Sequence, residues 1–159
     1  MNVFEQLVSE WYEYQGYFVR RNNTIGHAEL DALAYLPDKR LVVHIETGKD
    51  AETGPSVDAK ILRKMRFLPA EYARALNCQV DDVKKIAIYG WQRTKAKPRQ
   101  LGDVTVITLA DFVRDINDTL KRLNTRVETI TQNYPLLSAM QWSLWAEAKP
   151  RYKRSATAI

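Results

Sequence analysis

Two neighbouring stretches decide the fold. The first is Ala28-Glu29-Leu30-Asp31-Ala32-Leu33-Ala34-Tyr35-Leu36, and the second is Arg40-Leu41-Val42-Val43-His44-Ile45-Glu46. The first alternates, with Glu29, Asp31, Leu33 and Tyr35 on one side and Leu30, Ala32 and Ala34 on the other, which is the period of a strand. The second is rich in β-branched residues. Pro37-Asp38-Lys39 between them makes a tight turn, so the pair is expected to form a β-hairpin.

Upstream, residues 2 to 15 carry Phe4, Leu7, Val8, Trp11 and Tyr12, one apolar stripe of a helix that Gly16 ends. Tyr17 to Arg21 reads as a strand, and Asn22, Asn23 and Gly26 as a turn. Downstream, a polar loop ends near Pro55. A helix starts around Ser56 and runs through Ile61, Leu62, Met65 and Leu68. Pro69 must kink or restart it, having no amide hydrogen to donate. Glu71 to Leu76 continues helically, then Lys84–Tyr89 and Val104–Thr108 read as strands. Leu109, Phe112, Val113, Ile116, Leu120 and Leu123 form a helical stripe, and a last helix spans about residues 135 to 147. The order α-β-β-β-α-β-β-α-α implies an α/β fold, a mixed sheet with helices packed against it. Residues 1–130 hold the core; 131–159 are a terminal helix and basic tail, within the same domain or appended to it.

The chain has 159 residues, enough for one compact domain with a substantial core. Its single cysteine, Cys78, excludes an intrachain disulfide framework, and no Cys/His cluster has zinc-ligand spacing. A reducing, cytoplasmic location is expected. No apolar run approaches the roughly 20 residues of a spanning helix, and Met1 to Glu5 lack the basic and apolar regions of a targeting segment. The net charge of +5 is modest, but it is clustered. Arg93, Lys95, Lys97 and Arg99 crowd one stretch, and Lys149, Arg151, Lys153 and Arg154 crowd the tail. Such clusters attract polyanions; they are equally read as solvated segments.

Asp31 and Glu46 lie on adjacent strands of the hairpin, where two carboxylates can converge. A hard cation such as Mg²⁺ is commonly held by one or two carboxylates, with water and phosphate oxygens completing its shell. A metal so placed activates water and stabilises charge on a phosphate in transit.

The helix with Phe4-Glu5, then Gly16-Tyr17-Phe18-Val19-Arg20, Glu29-Leu30-Asp31-Ala32-Leu33-Ala34 and Leu41-Val42-Val43-His44-Ile45-Glu46, is similar to the core of PD-(D/E)XK nucleases. Within that superfamily it most resembles archaeal Holliday-junction resolvases and type IV restriction enzymes. The resemblance spans roughly residues 3 to 112 in element order, with motif residues only up to 64. It implies a restriction-endonuclease-like fold and a Mg²⁺ (or Mn²⁺) ion held by Asp31, Glu46 and the Thr47 carbonyl. Glu5 matches an acid that some members add to the metal site; it is read as readily as a first-turn acid favoured by the helix dipole.

The family motif wants lysine two residues after the glutamate, and this chain has Gly48 there. Lys49, one later, points to the wrong face unless Gly48 breaks the strand. The alternative is a lysine migrated to the next helix, as in some members. Lys64 is favoured over Lys60, which lies one turn away on the same face, and Lys49 comes third. Arg20 and Arg21 either steer phosphate or flank a strand. His44 reads as a satisfied interior histidine, His27 as solvent-facing. The expected function is a metal-dependent nuclease acting on DNA rather than RNA, with a homodimer compatible and no membrane partner. The alternative is an inactive nuclease-fold domain that binds nucleic acid or a protein.

Overall fold

The hairpin is present in a computed structural model that describes residues 3–48, 55–89 and 98–148. Strands β2 (Ala28–Leu36) and β3 (Leu41–Thr47) pair antiparallel from Leu36↔Leu41 to Ala32↔Ile45. A single 3-10 turn, Pro37–Lys39, joins them, closed by Arg40 in the left-handed region at φ 44°. On the outer side β2 pairs antiparallel with β1 (Phe18–Ile25). On the inner side β3 pairs parallel with β4 (Asp82–Tyr89), which pairs parallel with β6 (Val104–Thr108). A short β5 (Arg99–Leu101) closes the edge, giving one six-stranded mixed sheet in the order β1-β2-β3-β4-β6-β5.

Helices cover both faces. On one lie α1 (Val3–Tyr14), α4 (Leu109–Thr125) and α5 (Pro135–Ala148). Leu7, Val8 and Tyr12 of α1 meet Ala32, Ala34, Val43 and Ile45 of the hairpin there, together with Phe112, Ile116, Leu120 and Leu137. On the other lie α2 (Pro55–Lys64) and α3 (Pro69–Leu76). Val57, Ile61 and Met65 pack on Ala87 and Tyr89 of β4, while Phe67 and Tyr72 pack on Leu33 and Val42. Ile61 is fully buried, and burial of a side chain of this size contributes roughly 1.5–3 kcal/mol. Strand parity therefore sends Val43 and Ile45 to the α1 layer, and His44 and Glu46 to the α2–α3 layer.

Several expectations change. Strand β1 continues to Ile25 instead of turning at Asn22; Asn22 adopts φ 47°, a conformation that asparagine tolerates, and the ladder skips that one step and resumes at Asn23. The turn falls at Gly26 and His27, and His27 is exposed. Helix α2 ends at Lys64 and does not run through Leu68, while Pro69 starts α3, the restart expected of it. Leu62 and Leu68, expected on the buried stripe, are exposed. The β5 strand was hidden within the basic stretch, and its Arg99 is paired with Asp58 of α2.

Helix α5 is tied to α1 by a buried acid. Glu10 is 3% exposed. Its Oε2 accepts the amide N–H groups of Leu136 (2.8 Å) and Leu137 (3.1 Å). These are first-turn donors with no partner inside their own helix, and the helix dipole favours an anion beside them. Gln141 of α5 fastens the preceding segment, donating to the Glu128 carbonyl and accepting from the Ile130 amide. No helix among the described residues is long and apolar enough to cross a membrane. Glu10→Ala should cost about 2–3 kcal/mol, the size of hydrogen bonds to a charged group. It should also speed hydrogen exchange at Leu136 and Leu137. An unchanged melting temperature would show that α5 docks without this cap.

Candidate active site

The β2–β3 ladder stops one step short of Asp31 and Glu46. Pairing runs to Ala32↔Ile45; the next step would set Asp31 against Glu46. There the side chains take over from the backbone. The Thr47 amide donates to Asp31 Oδ2 (2.7 Å), and the Asp31 amide donates to Glu46 Oε1 (3.2 Å). The β1–β2 ladder also passes over Asp31, from Arg21↔Ala32 to Asn23↔Leu30. Leu30 and Leu33 share one core cluster although parity separates them, so the strand is distorted across Asp31.

The fork aims each carboxylate. Asp31 Oδ2 is taken by the Thr47 amide and by its hydroxyl (2.9 Å). Glu46 Oε1 is taken by the Asp31 amide and by His44 Nε2 (3.0 Å). The other two oxygens share one neighbour. The Lys64 ammonium donates to Glu46 Oε2 and stands 3.7 Å from Asp31 Oδ1. Lys64 is the last residue of α2, and the packing of Val57, Ile61 and Met65 sets it above the sheet. Glu46 is fully buried, while the Asp31 side chain is 22% and the Lys64 side chain 33% exposed. The site is closed beneath and open above.

The charges are unequal in consequence. Burial pushes the Asp31 carboxyl above the ordinary carboxylate value, and the Glu46 charge adds to this. The Thr47 hydrogen bond and Lys64 offset the rise only in part. Burial also works to raise Glu46, but hydrogen bonds from His44 and Lys64 outweigh it and hold Glu46 below its ordinary value. Burial opposes the Lys64 ammonium, yet the Glu46 hydrogen bond and charge raise it above its ordinary value. Two carboxylates against one ammonium leave a net negative charge when all three are ionised, an arrangement suited to a cation.

Gly48 has a steric cause. A Cβ at that position would lie 2.0 Å from a ring carbon of Tyr89. Tyr89 is buried against Val57, Ile61 and Met65. The Gly48 amide meanwhile donates to the Ile88 carbonyl (3.0 Å), so the strand keeps its course. Any side chain at 48 collides with the ring that helps seat α2, and α2 delivers the lysine instead.

The remaining candidates scatter. Lys60 is exposed, one turn before Lys64 on α2. Glu5 is half-buried in the first turn of α1, the layer on the opposite face of the sheet. Arg20 bonds the Ala75 carbonyl of α3 (3.1 Å), on the site's face. Arg21 pairs with Glu13 of α1 (3.7 Å), on the other. Lys49, Arg93, Lys95, Lys97 and the basic tail lie outside the described residues. Among the described residues no group of three or more His, Cys, Asp or Glu could hold a metal ion. A metal here would rest on two carboxylate oxygens, a donor set that suits Mg²⁺ completed by water and phosphate. His44 and Tyr72 join the site through hydrogen bonds behind Glu46. His44 shares a face with Glu46 by parity, but nothing in the sequence points to Tyr72.

No protein-family model matches the sequence, and no curated protein matches it.

The electrostatics make a stability prediction. The native state holds a proton on Asp31 more tightly than the unfolded chain does, so this residue's contribution falls as pH rises through its raised pKa. Asn keeps an acceptor for the Thr47 amide and removes the charge. Asp31→Asn should raise the melting temperature at pH 7 by about 2–4 °C, a change on the order of 1 kcal/mol. The gain should fade as pH falls and wild-type Asp31 takes up its proton. A variant that melts below wild type at pH 7 would contradict the electrostatic description.

Proposed function

We propose that this protein is a Mg²⁺- or Mn²⁺-dependent nuclease with a PD-(D/E)XK core, hydrolysing phosphodiester bonds of DNA. One observation carries the proposal: Asp31, Glu46 and Lys64 converge from β2, β3 and α2 on one partly open point. The element order supports it. A helix, three strands, helices and then further strands follow one another in a mixed sheet, in the element order that the resemblance covers. DNA as substrate and a cytoplasmic location belong to the same proposal.

The roles follow from the chemistry of each group. Asp31 Oδ1 and Glu46 Oε2 would hold the cation: their partner oxygens are taken by Thr47, the Asp31 amide and His44, and the cation would take the place of the Lys64 ammonium on Oε2. A divalent ion bound there would lower the pKa of a bound water and offset charge on the phosphate. Thr47 fixes Asp31 through two hydrogen bonds, so the carboxylate is oriented before any ligand arrives. Lys64 supplies an ammonium at the open side, suited to a phosphate oxygen or the attacking water. In the free protein it also neutralises Glu46.

The second reading, a nuclease-fold domain without catalysis, draws on the closed Lys64–Glu46 contact, which a purely structural ion pair would also make. Incubation with linear, nicked and branched DNA, with Mg²⁺, Mn²⁺ or EDTA, separates the two. Wild type should cleave at least one form only with metal, and Asp31→Asn and Glu46→Gln should abolish cleavage. Lys64→Met should slow it by about 10² or more, the typical cost of losing one preorganised electrostatic contact. Metal-independent background alone, in wild type and variants, would leave the inert reading standing.

A further inference from the structure

We propose that His44 and Tyr72 are positioning residues that fix the plane of the Glu46 carboxylate, so that one of its oxygens faces the cation site. The inference rests on reading Asp31 and Glu46 as metal ligands and extends that site to α3. Tyr72, His44 and Glu46 form one chain of contacts. The Tyr72 hydroxyl lies 2.8 Å from His44 Nδ1, and His44 Nε2 lies 3.0 Å from Glu46 Oε1. All three side chains are fully buried.

The polarity of the chain follows from its end. An ionised carboxylate can only accept, so His44 Nε2 carries the hydrogen and donates it to Glu46. In the neutral ring Nδ1 is then an acceptor, and it takes the Tyr72 hydroxyl as donor. Tyr72 suits that task, because burial first and nearby acidic charges second raise its pKa and keep its proton in place. Its ring is held edge-on against Phe67 (6.2 Å between centroids) and His44 (5.6 Å), so the hydroxyl has little freedom to wander.

The need for such a chain lies in the glutamate. The terminal torsion of a Glu side chain is broad, so burial alone does not set the plane of its carboxylate. The Asp31 amide makes one bond to Oε1; His44 makes the second, from the α3 side. With Oε1 held twice, Oε2 is the oxygen left toward Lys64 and Asp31 Oδ1. A histidine serving only the core could have met its donor need at a backbone carbonyl. This one spends it on the acid that the proposed chemistry uses. Groups that hold a metal ligand from behind in this way are typically worth about 10- to 100-fold in affinity.

The test is Mn²⁺ binding to the full-length protein, followed by electron paramagnetic resonance, with thermal melting as a fold control. His44→Leu fills the ring's place without a donor and should weaken Mn²⁺ binding by about 10-fold or more. His44→Gln can return an N–H to the position of Nε2 and should recover most of that loss. Tyr72→Phe deletes one oxygen and keeps the ring packing, so it should weaken binding less than His44→Leu does; it carries the test if His44→Leu does not fold. A histidine that only fills the core would shift melting temperatures and leave all four affinities equal, and that result would overturn the proposal. Wild type that binds no Mn²⁺ would overturn the metal reading itself, and the role of His44 with it.

Discussion

The hydrogen bond from the Thr47 amide to the Asp31 carboxylate replaces a ladder bond with a side chain, and the rest of the site depends on that exchange. Two strands that pair to the end leave their amides satisfied and their side chains standing apart. Here the ladder stops at Ala32↔Ile45, and the freed amides of Asp31 and Thr47 are each taken by the carboxylate across the fork. The backbone stays satisfied, as buried polar groups require, and each acid is pinned by the other strand. Two like charges are thereby held close in a half-buried place. Asp31 bears most of the cost, which burial and the Glu46 charge express as a raised pKa. Lys64 offsets part of it from the layer above.

Much of this was legible in the sequence, because period and parity are local. Alternation through residues 28–36 and the β-branched run before Glu46 gave the hairpin, and parity placed His44 and Glu46 on one face. Chemistry narrowed the rest to two acids and a short set of lysines. Long-range facts were not legible. The fork at Asp31 is a failure of pairing, and Asn22, standing opposite, reads as a turn residue when it is a distorted strand residue. Glu10 looked like any acid on a helix, yet it caps α5 from more than a hundred residues away. Tyr72 is one aromatic among many until the fold sets its hydroxyl on His44.

Gly48 shows how one residue can look like damage to a motif and be a consequence of packing. On its own it leaves the expected lysine missing. In the fold, the Tyr89 ring fills the space that a side chain at 48 would enter, and the same ring packs on Val57, Ile61 and Met65 of the α2 layer. The helix so seated ends at Lys64, whose ammonium reaches both carboxylates. A lysine at 48 would require the Tyr89 ring to leave the place it holds here. The charge is supplied from the element that the tyrosine supports.

The central claim is that the space between Asp31 and Glu46, filled by an ammonium in the free protein, is a divalent-metal seat. Anomalous scattering from crystals soaked in Mn²⁺ tests it most directly. The account predicts one Mn²⁺ peak coordinated by Asp31 and Glu46 at about 2.1–2.2 Å, near the distances of small hard cations to oxygen, with the Lys64 ammonium moved off Glu46. Crystals that show no peak between these carboxylates at saturating Mn²⁺, with the Lys64–Glu46 pair intact, would contradict it.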